Sequence, residues 1–330
     1  MDNIYSVFLI LVISYYLYLL AEYRAMNVTL RQLSVFESAA RLLSYTRAAE
    51  ELHLSQPAVS MQIRQLEEQA GLQLFEKLGR KLHLTEAGRE LFQYSRAILN
   101  ELHEAEEVLE ALKGLNTGTL NIGVASTVNY FAPRLLAAFS HRYPGINLSL
   151  EATNRENLIH MLSANEKDLV LMGRPPEQID LESEPFLENP LVVIAPPEHP
   201  LAKEHGIPLQ RLAEETFVIR EAGSGTRAAM KRFFSEQGIT LKTGMQMTRN
   251  EAIKQAVRAG LGLSIVSIHS IELELETKRL VVLDVKGFPI KRQWFLVYRH
   301  GKRLSPAAGA FKDFVLAEAG SLLSLPGTEK

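Results

Sequence analysis

A chain of 330 residues with 46% hydrophobic side chains is long enough for two or three domains with real cores, which excludes a fibrous or disordered class. It has no cysteine, so disulfide frameworks, thiolate metal sites and cysteine nucleophiles are excluded, in keeping with a reducing compartment. The net charge of −2 argues neither for nor against nucleic acid, because a DNA-binding module needs only a local basic face.

The first stretch, Ile4 to Ala21, is uncharged, apolar and about as long as a bilayer-crossing helix. It lacks the basic start and small-residue cleavage site of a signal peptide. Two readings follow. As a span, with Arg24 and Arg31 behind it, it would tether a cytoplasmic domain. As an upstream extension, residues 1–25 would precede a working protein beginning at Met26. The second is expected, because Asn27 onward reads as a complete helical domain.

Thr29 can cap a helix carrying Leu30, Leu33, Val35, Phe36 and Ala39 near one face. Then Ala48, Ala49 and Leu52 recur at helical spacing, Leu54 interrupts, and Val59, Ile63 and Leu66 recur again. Two short helices meeting at an angle are predicted. Ser44 caps the first, Ser55 caps the second with Pro57 in its opening turn, and Gly71 closes it. Gln56, Ser60, Met61 and Arg64 then point outward. Amide, hydroxyl and guanidinium groups suit base edges and phosphates in a major groove, so this is a helix-turn-helix pattern; a solvated helical hairpin would show the same periodicity. After Gly71, Leu72 to Thr85 reads as two short strands with Leu72, Leu74, Phe75, Leu82 and Leu84 buried. Lys77, Gly79, Arg80 and Lys81 form a basic turn between them. A basic hairpin tip can be merely solvated, but at this distance from a helix-turn-helix it reads as a wing, with Arg80 and Lys81 against the phosphate backbone or in the minor groove.

Thr85 opens a long helix to about Lys113, in which Leu91, Ile98, Leu102, Ala105, Leu109 and Leu112 form a seam with glutamates outside it. No neighbouring segment offers a matching stripe, so the seam predicts a dimer and two-fold-related DNA half-sites. Gly114 to Gly118 reads as a linker. From Thr119 strands alternate with helices. Strands are expected at 120–124, 146–150, 169–172, 191–195, 217–220, 245–247, 263–266 and 294–298, and helices at 133–142 and 154–164 and from Thr226, Asn250 and Pro306. Such alternation implies largely parallel sheets in two α/β lobes with a cleft between them.

Ser126 and Thr127 follow the first strand of this region, where hydroxyls and free N–H groups make an anion site. The run Arg220-Glu-Ala-Gly-Ser-Gly-Thr-Arg227 is a strand end, a glycine-rich turn and a helix start, suited to phosphate or carboxylate. It has neither the Walker A pattern nor the dinucleotide glycine spacing. Arg174, Asn154, Asn250 and Glu251 stand at similar strand-end or helix-start positions. The nine histidines lack metal-ligand spacing, no Gly-x-Ser-x-Gly elbow occurs and no carboxylate pair is placed for acid–base work, so an enzyme is unmotivated. A solute-binding receptor or enzyme that only dimerises through its N-terminal helices is the rival class.

From Met26 onward the chain resembles the LysR-type transcriptional regulators. The residues that carry this are Thr46-Arg-Ala-Ala-Glu-Glu-Leu-His-Leu-Ser-Gln-Pro-Ala-Val-Ser60, Leu66-Glu-Glu, Leu74-Phe-Glu and Leu84-Thr-Glu-Ala-Gly88. Met172-Gly-Arg-Pro-Pro176, the Arg220 to Arg227 loop, Asn250-Glu-Ala-Ile-Lys-Gln-Ala-Val257 and the stretch from Gly287-Phe-Pro to Arg303-Leu-Ser-Pro306 look like the CbbR group, regulators of Calvin-cycle carbon-fixation operons. The resemblance implies an α/β protein with an N-terminal winged helix-turn-helix (26–84), a linker helix and hinge (85–118) and a two-lobed periplasmic-binding-protein-like effector domain (119–330). Lobe I would be 119–187 with 288–330, and lobe II 188–287. It implies a cytoplasmic homodimer assembling to a homotetramer, with double-stranded DNA, RNA polymerase and a small anionic metabolite as partners. That effector would be a phosphorylated sugar or acid, or NADPH, with no metal and no other cofactor. Carried over by motif are Gln56, Pro57, Ser60 and Arg64 for the recognition helix, Arg80 for the wing, and Ser126, Thr127 and the Arg220 to Arg227 loop for the effector. Together with the reading of the residues themselves, the DNA-binding set is Thr46, Gln56, Pro57, Ser60, Met61, Arg64, Arg80 and Lys81. The effector set is Ser126, Thr127, Asn154, Arg174, Arg220, Ser224, Gly225, Thr226, Arg227, Asn250 and Glu251. Many LysR-type members have arginine where Met61 stands, so a base contact there would become one to a thymine methyl. A LysR-type regulator of amino-acid or sulfur metabolism would share every feature but the ligand.

Overall fold

The computed structural model describes residues 27–79, 81–112 and 118–323; the apolar run at 4–21, Arg80 and the expected linker at 114–117 lie outside the described residues. The chain divides into two compact units between Leu99 and Asn100.

In the first unit each helix has a local chemical start. Helix α1 (Leu30–Leu42) begins in a capping box: the Thr29 hydroxyl accepts from Gln32 N at 3.2 Å while the Gln32 side chain accepts from Thr29 N at 2.9 Å. Helix α2 (Tyr45–Glu51) is capped by Ser44, and α3 (Gln56–Ala70) by Ser55 with Pro57 in its first turn. Gly71 at φ 67° stops α3 in the left-handed region, where a side chain would be strained. Val35, Phe36, Ala39, Ala48, Ala49, Val59, Ile63, Leu66 and Leu74 close one core, each large aliphatic or aromatic side chain contributing about 1.5–3 kcal/mol. Strands β1 (Phe75–Leu78) and β2 (Lys81–Leu84) pair antiparallel as the expected hairpin. Glu67 fixes its root, accepting from Leu74 N at 2.8 Å and Phe75 N at 3.2 Å. Leu72 is the exception to the expected core, exposed at 59%, because it lies in the turn after Gly71 and ahead of the paired residues.

Helix α4 (Glu86–Leu112) starts at Thr85, whose hydroxyl accepts from Gly88 N at 3.0 Å. Gly88 is required there, since a Cβ would overlap the Leu74 carbonyl oxygen. Along the expected seam Leu91 packs on the core while Ile98, Leu102 and Leu109 are exposed at 45%, 39% and 59%; the Leu112 side chain lies outside the described residues.

The second unit contains two sheets. The first has strand order β4-β3-β5-β12-β6, from β3 (Gly118–Ala125), β4 (Ile146–Thr153), β5 (Leu169–Met172), β6 (Leu181–Glu188) and β12 (Gln293–Arg299). Strand β3 runs parallel to β4 and β5, and β12 antiparallel to β5 and β6. Helices α5 (Ala132–Arg142) and α10 (Pro306–Leu322) pack with Leu120, Ile122 and Val124, whereas α6 (Arg155–Ser163) packs with Val170, Met172 and Val297. The second sheet holds β7 (Leu191–Ala195), β10 (Ser264–Ser267) and β11 (Val281–Val282), antiparallel, with the parallel pair β8 (Thr216–Arg220) and β9 (Lys242–Met247) hydrogen-bonded through Leu263. Helices α7 (Gly225–Glu236) and α8 (Asn250–Arg258) lie in its two cores, and α9 (Glu272–Glu276) follows β10.

Both sheets are therefore mixed, correcting the expectation of largely parallel ones, because the last strand returns to the first sheet antiparallel and β7 pairs antiparallel with both neighbours. Strand β6 was not expected. Its Leu-Glu-Ser-Glu-Pro sequence is polar and contains Pro185, which the structure tolerates because β6 is an edge. The chain passes from one sheet to the other after Glu188 and back before Gln293, and the crossings bond to each other: Asn189 N to Arg292 O at 2.7 Å, and Leu191 with Ile290 in both directions at 3.0 Å.

Candidate functional site

On the first unit the anchoring side of α3, Val59, Ile63 and Leu66, is buried, and by helical periodicity Gln56, Ser60, Met61 and Arg64 must fall on the opposite side. Gln56, Pro57 and Arg64 are exposed, Met61 is exposed at 53% and Ser60 is half-buried. Thr46, in the first turn of α2, is exposed as well, and Lys81 is exposed at the head of β2. A surface of amide, hydroxyl, thioether and guanidinium groups with a cation on an adjoining hairpin can bond base edges and phosphates together.

In the second unit a cleft lies between the two sheets, lined by residues from three strand-to-helix junctions, the end of β5 and the start of β12. Of the expected effector residues, Ser126, Thr127, Asn154, Arg220, Ser224, Gly225 and Thr226 line it. Asn154 caps α6 and Ser224 caps α7, so two helix N-termini with their free N–H groups open toward it.

The charges are arranged differently from the sequence expectation. Arg220, 4% exposed, is held in a bidentate pair with Glu221 at 2.7 and 2.9 Å, bonds Asn250, and donates to Ser126 at 3.1 Å. Asn250 in turn donates to Thr127 at 3.2 Å. These contacts join the two sheets and leave Arg220 neutralised. Arg227 donates to Arg220 O at 3.1 Å and to Gln246 at 2.5 Å. Glu251 pairs with Lys254 at 2.8 Å, and exposed Arg174 pairs with Glu177 at 2.6 Å; neither lines the cleft.

The positive charge in the cleft comes instead from Arg155 and Arg292. Arg292 donates to Gly225 O at 3.3 Å and Arg155 to Arg174 O at 3.4 Å, and among the described residues neither has a carboxylate within ion-pair distance. Burial, with Arg232 and Arg155 nearby, lowers the Arg292 pKa to about 10; burial and Arg232 likewise lower that of Arg155. Gly173 makes room for Arg292, since a Cβ there would overlap its guanidinium. Trp294 also lines the cleft, 3% exposed, with an indole N–H that has no partner. Two cations with no ion-pair partner among the described residues, two helix N-termini and several hydroxyls make an arrangement that can bind an anion. Arg155 was discoverable from its place directly after a helix cap. Arg292 and Trp294 carried no local signal, for they reach the cleft only because β12 returns to the first sheet.

Residues 113–320 match the family profile described as LysR substrate binding domain, and residues 30–89 that of the bacterial regulatory helix-turn-helix protein, lysR family. The chain belongs to the LysR family of transcriptional regulators. It is 69% identical over 90% of its length, and 98% of the relative's, to the RuBisCO operon transcriptional regulator of Allochromatium vinosum. It is 46% identical, over 88% of its length and 96% of the relative's, to the transcriptional activator CmpR of Synechocystis. Among solved LysR structures, the CcmR regulatory domain of Synechocystis in complex with 2-PG shares 44% identity, covers 61% of this chain and 97% of its own, and has a TM-score of 0.59. Full-length CbnR with its target DNA, 21% identical, covers 87% of this chain and 99% of its own at a TM-score of 0.65, a likeness of fold. As a LysR-type regulator this chain combines a DNA-binding module with an effector-binding one. Among its described residues no helix is long and apolar enough to cross a membrane.

Proposed function

We propose that this chain regulates a carbon-fixation operon, binding its operator through α3 and the β1–β2 wing and sensing a small phosphorylated acid in the cleft. One observation carries the ligand reading: among the described residues Arg155 and Arg292 sit half-buried without a carboxylate partner, inside a chain whose relatives are named for RuBisCO operon control. Two guanidinium groups balance the charge and the several acceptor oxygens of a phosphate, where a lone carboxylate offers one charge and two oxygens. The 2-PG held by the CcmR domain is of that class.

The proposed DNA contacts are Gln56, Pro57, Ser60, Met61 and Arg64 in the major groove, and Thr46, Arg80 and Lys81 at the backbone. The proposed effector contacts are Ser126, Thr127, Asn154, Ser224, Gly225 and Thr226 with Arg155 and Arg292. Arg220 and Asn250 act through Ser126 and Thr127; Arg227 braces Arg220. The module boundaries proposed above are kept, with residues 85–118 as linker. The exposed apolar seam on α4 supports a homodimer; a tetramer, an RNA polymerase contact and a cytoplasmic location are proposed from the family resemblance alone.

Gel mobility shift with a promoter fragment over a salt series tests the reading. Binding should weaken steeply with salt, and Arg64→Ala should weaken it further while leaving affinity for 2-phosphoglycolate unchanged. Binding insensitive to salt and to Arg64 would reject the DNA surface, and absence of any 2-phosphoglycolate effect on the complex would reject the effector.

A further inference from the structure

At the end of the first sheet away from the cleft, one ammonium gathers three segments of the second unit. Lys302, its side chain 5% exposed, places Nζ 2.5 Å from Glu104 of α4, 3.0 Å from the Asn165 side-chain oxygen, 3.0 Å from Lys167 O and 3.6 Å from Asp168. Asn165, 2% exposed, uses the rest of its capacity on the same helix. Its amide donates to Glu101 at 3.0 Å and Glu104 at 3.1 Å, and its carbonyl accepts from Asn100 at 2.7 Å. Asp168 is itself fixed by Asn121 N of β3 at 2.7 Å. A buried charge cluster of this kind holds its members in one geometry, because withdrawing any partner leaves an uncompensated charge.

The elements that meet in this clasp are those that line the cleft. Helix α6 starts at Asn154 and Arg155 in the cleft and ends next to Asn165. Strand β5 starts next to Asp168 and ends at Met172 and Gly173 in the cleft. Strand β12 begins at the cleft, with Arg292 just before it and Trp294 in it, and the turn after it carries Lys302. Nine residues of helix and four of strand each span about 13 Å, so the two ends are linked by short, stiff, packed elements.

We infer that Lys302 is a positioning residue for signal transfer: it locks α4 to the far ends of the cleft-lining elements, so that an effector-driven shift of α6, β5 and β12 moves the helix that continues into the DNA-binding unit. This rests on the effector reading above. It requires no contact of Lys302 with ligand or DNA. A coupling free energy is reciprocal, so effector changes operator affinity by the same factor by which operator changes effector affinity.

Full-length wild type, Lys302→Met, Glu104→Gln and Lys302→Arg are compared, with 2-phosphoglycolate affinity read from Trp294 fluorescence and operator affinity from anisotropy. In wild type the two reciprocal factors agree and lie within the roughly 5–150-fold span of coupled proteins. In Lys302→Met and Glu104→Gln both factors fall toward one, with affinity of the free protein for 2-phosphoglycolate held within about two-fold of wild type, and Lys302→Arg restores part of the coupling. Glu104→Gln keeps shape and serves should Lys302→Met fail to fold. Coupling unchanged in the variants, or lost together with effector affinity itself, overturns the inference. A wild type with no coupling at all overturns the effector reading instead.

Discussion

Replacing Arg292 by Met separates what the cleft does for stability from what it does for binding. Its guanidinium is held near a pKa of about 10 instead of 12.5, chiefly by burial and then by Arg232 and Arg155, a cost on the order of 3 kcal/mol to the folded cation. The group is charged in both folded and unfolded chains at pH 7, so that cost is present in full below about pH 10 and is relieved only as pH climbs from there toward 12.5. Methionine removes the cost and forfeits one hydrogen bond, to Gly225 O at 3.3 Å, worth about 1 kcal/mol. Arg292→Met without ligand should therefore be more stable by about 1–2 kcal/mol, a Tm rise of about 2–8 °C for a unit of this size. The same change removes a charged donor from the anion, costing about 1.5–3 kcal/mol, or roughly 10–150-fold in affinity. Thermal unfolding of the full chain with and without 2-phosphoglycolate reads both. In wild type ligand at 100 times its Kd adds about 2.7 kcal/mol, and in Arg292→Met at that concentration most of the increment disappears. A variant that melts lower without ligand, or that ligand stabilises as much as wild type, refutes the argument that Arg292 is a strained cation kept for an anion.

Gly88→Ala should destabilise the first unit by about 1–2 kcal/mol, since overlap with the Leu74 carbonyl outweighs the gain in helix propensity; hydrogen exchange across 27–99 should speed up while effector affinity is retained. Gly173→Ala should displace the Arg292 side chain and weaken 2-phosphoglycolate binding with little change in operator affinity of the free protein, measured by fluorescence titration and anisotropy. Lys254, 3% exposed, meets Glu251 at 2.8 Å, Glu274 at 2.9 Å and the Tyr130 ring at 4.7 Å. Burial pulls its pKa down, but the hydrogen bonds it donates to those carboxylates prevail and hold it above its ordinary value. Its stabilising contribution is thus present in full below the unfolded lysine pKa and lost as pH rises through the raised folded one. Lys254→Met should cost about 3 kcal/mol by stranding buried Glu274, and adding Glu274→Leu should recover most of the lost Tm.

The first unit was almost wholly legible in the sequence because its structure is built from short-range chemistry. Thr29, Ser44, Ser55 and Gly71 sit at the helix boundaries they were expected to set, and Val59, Ile63 and Leu66 are buried while the intervening face is open. Even the hairpin at 75–84 follows from local alternation. In the second unit the strands and helices were legible one by one, as at Leu169–Met172 and Leu191–Ala195. Their pairing was not, because whether β12 runs parallel or antiparallel depends on a return path of more than a hundred residues.

The same distinction governs the sites. Residue types and helical period alone determined which face of α3 is left open, since one anchored side of a helix leaves the other free. Which arginines charge the cleft was decided by tertiary structure: Arg220, the conspicuous one in its glycine-rich loop, is consumed by its neighbour Glu221, while Arg155 and Arg292, from segments far apart in sequence, are left unneutralised. A charge is available to a ligand only if no partner already holds it, and that is a property of three-dimensional neighbours.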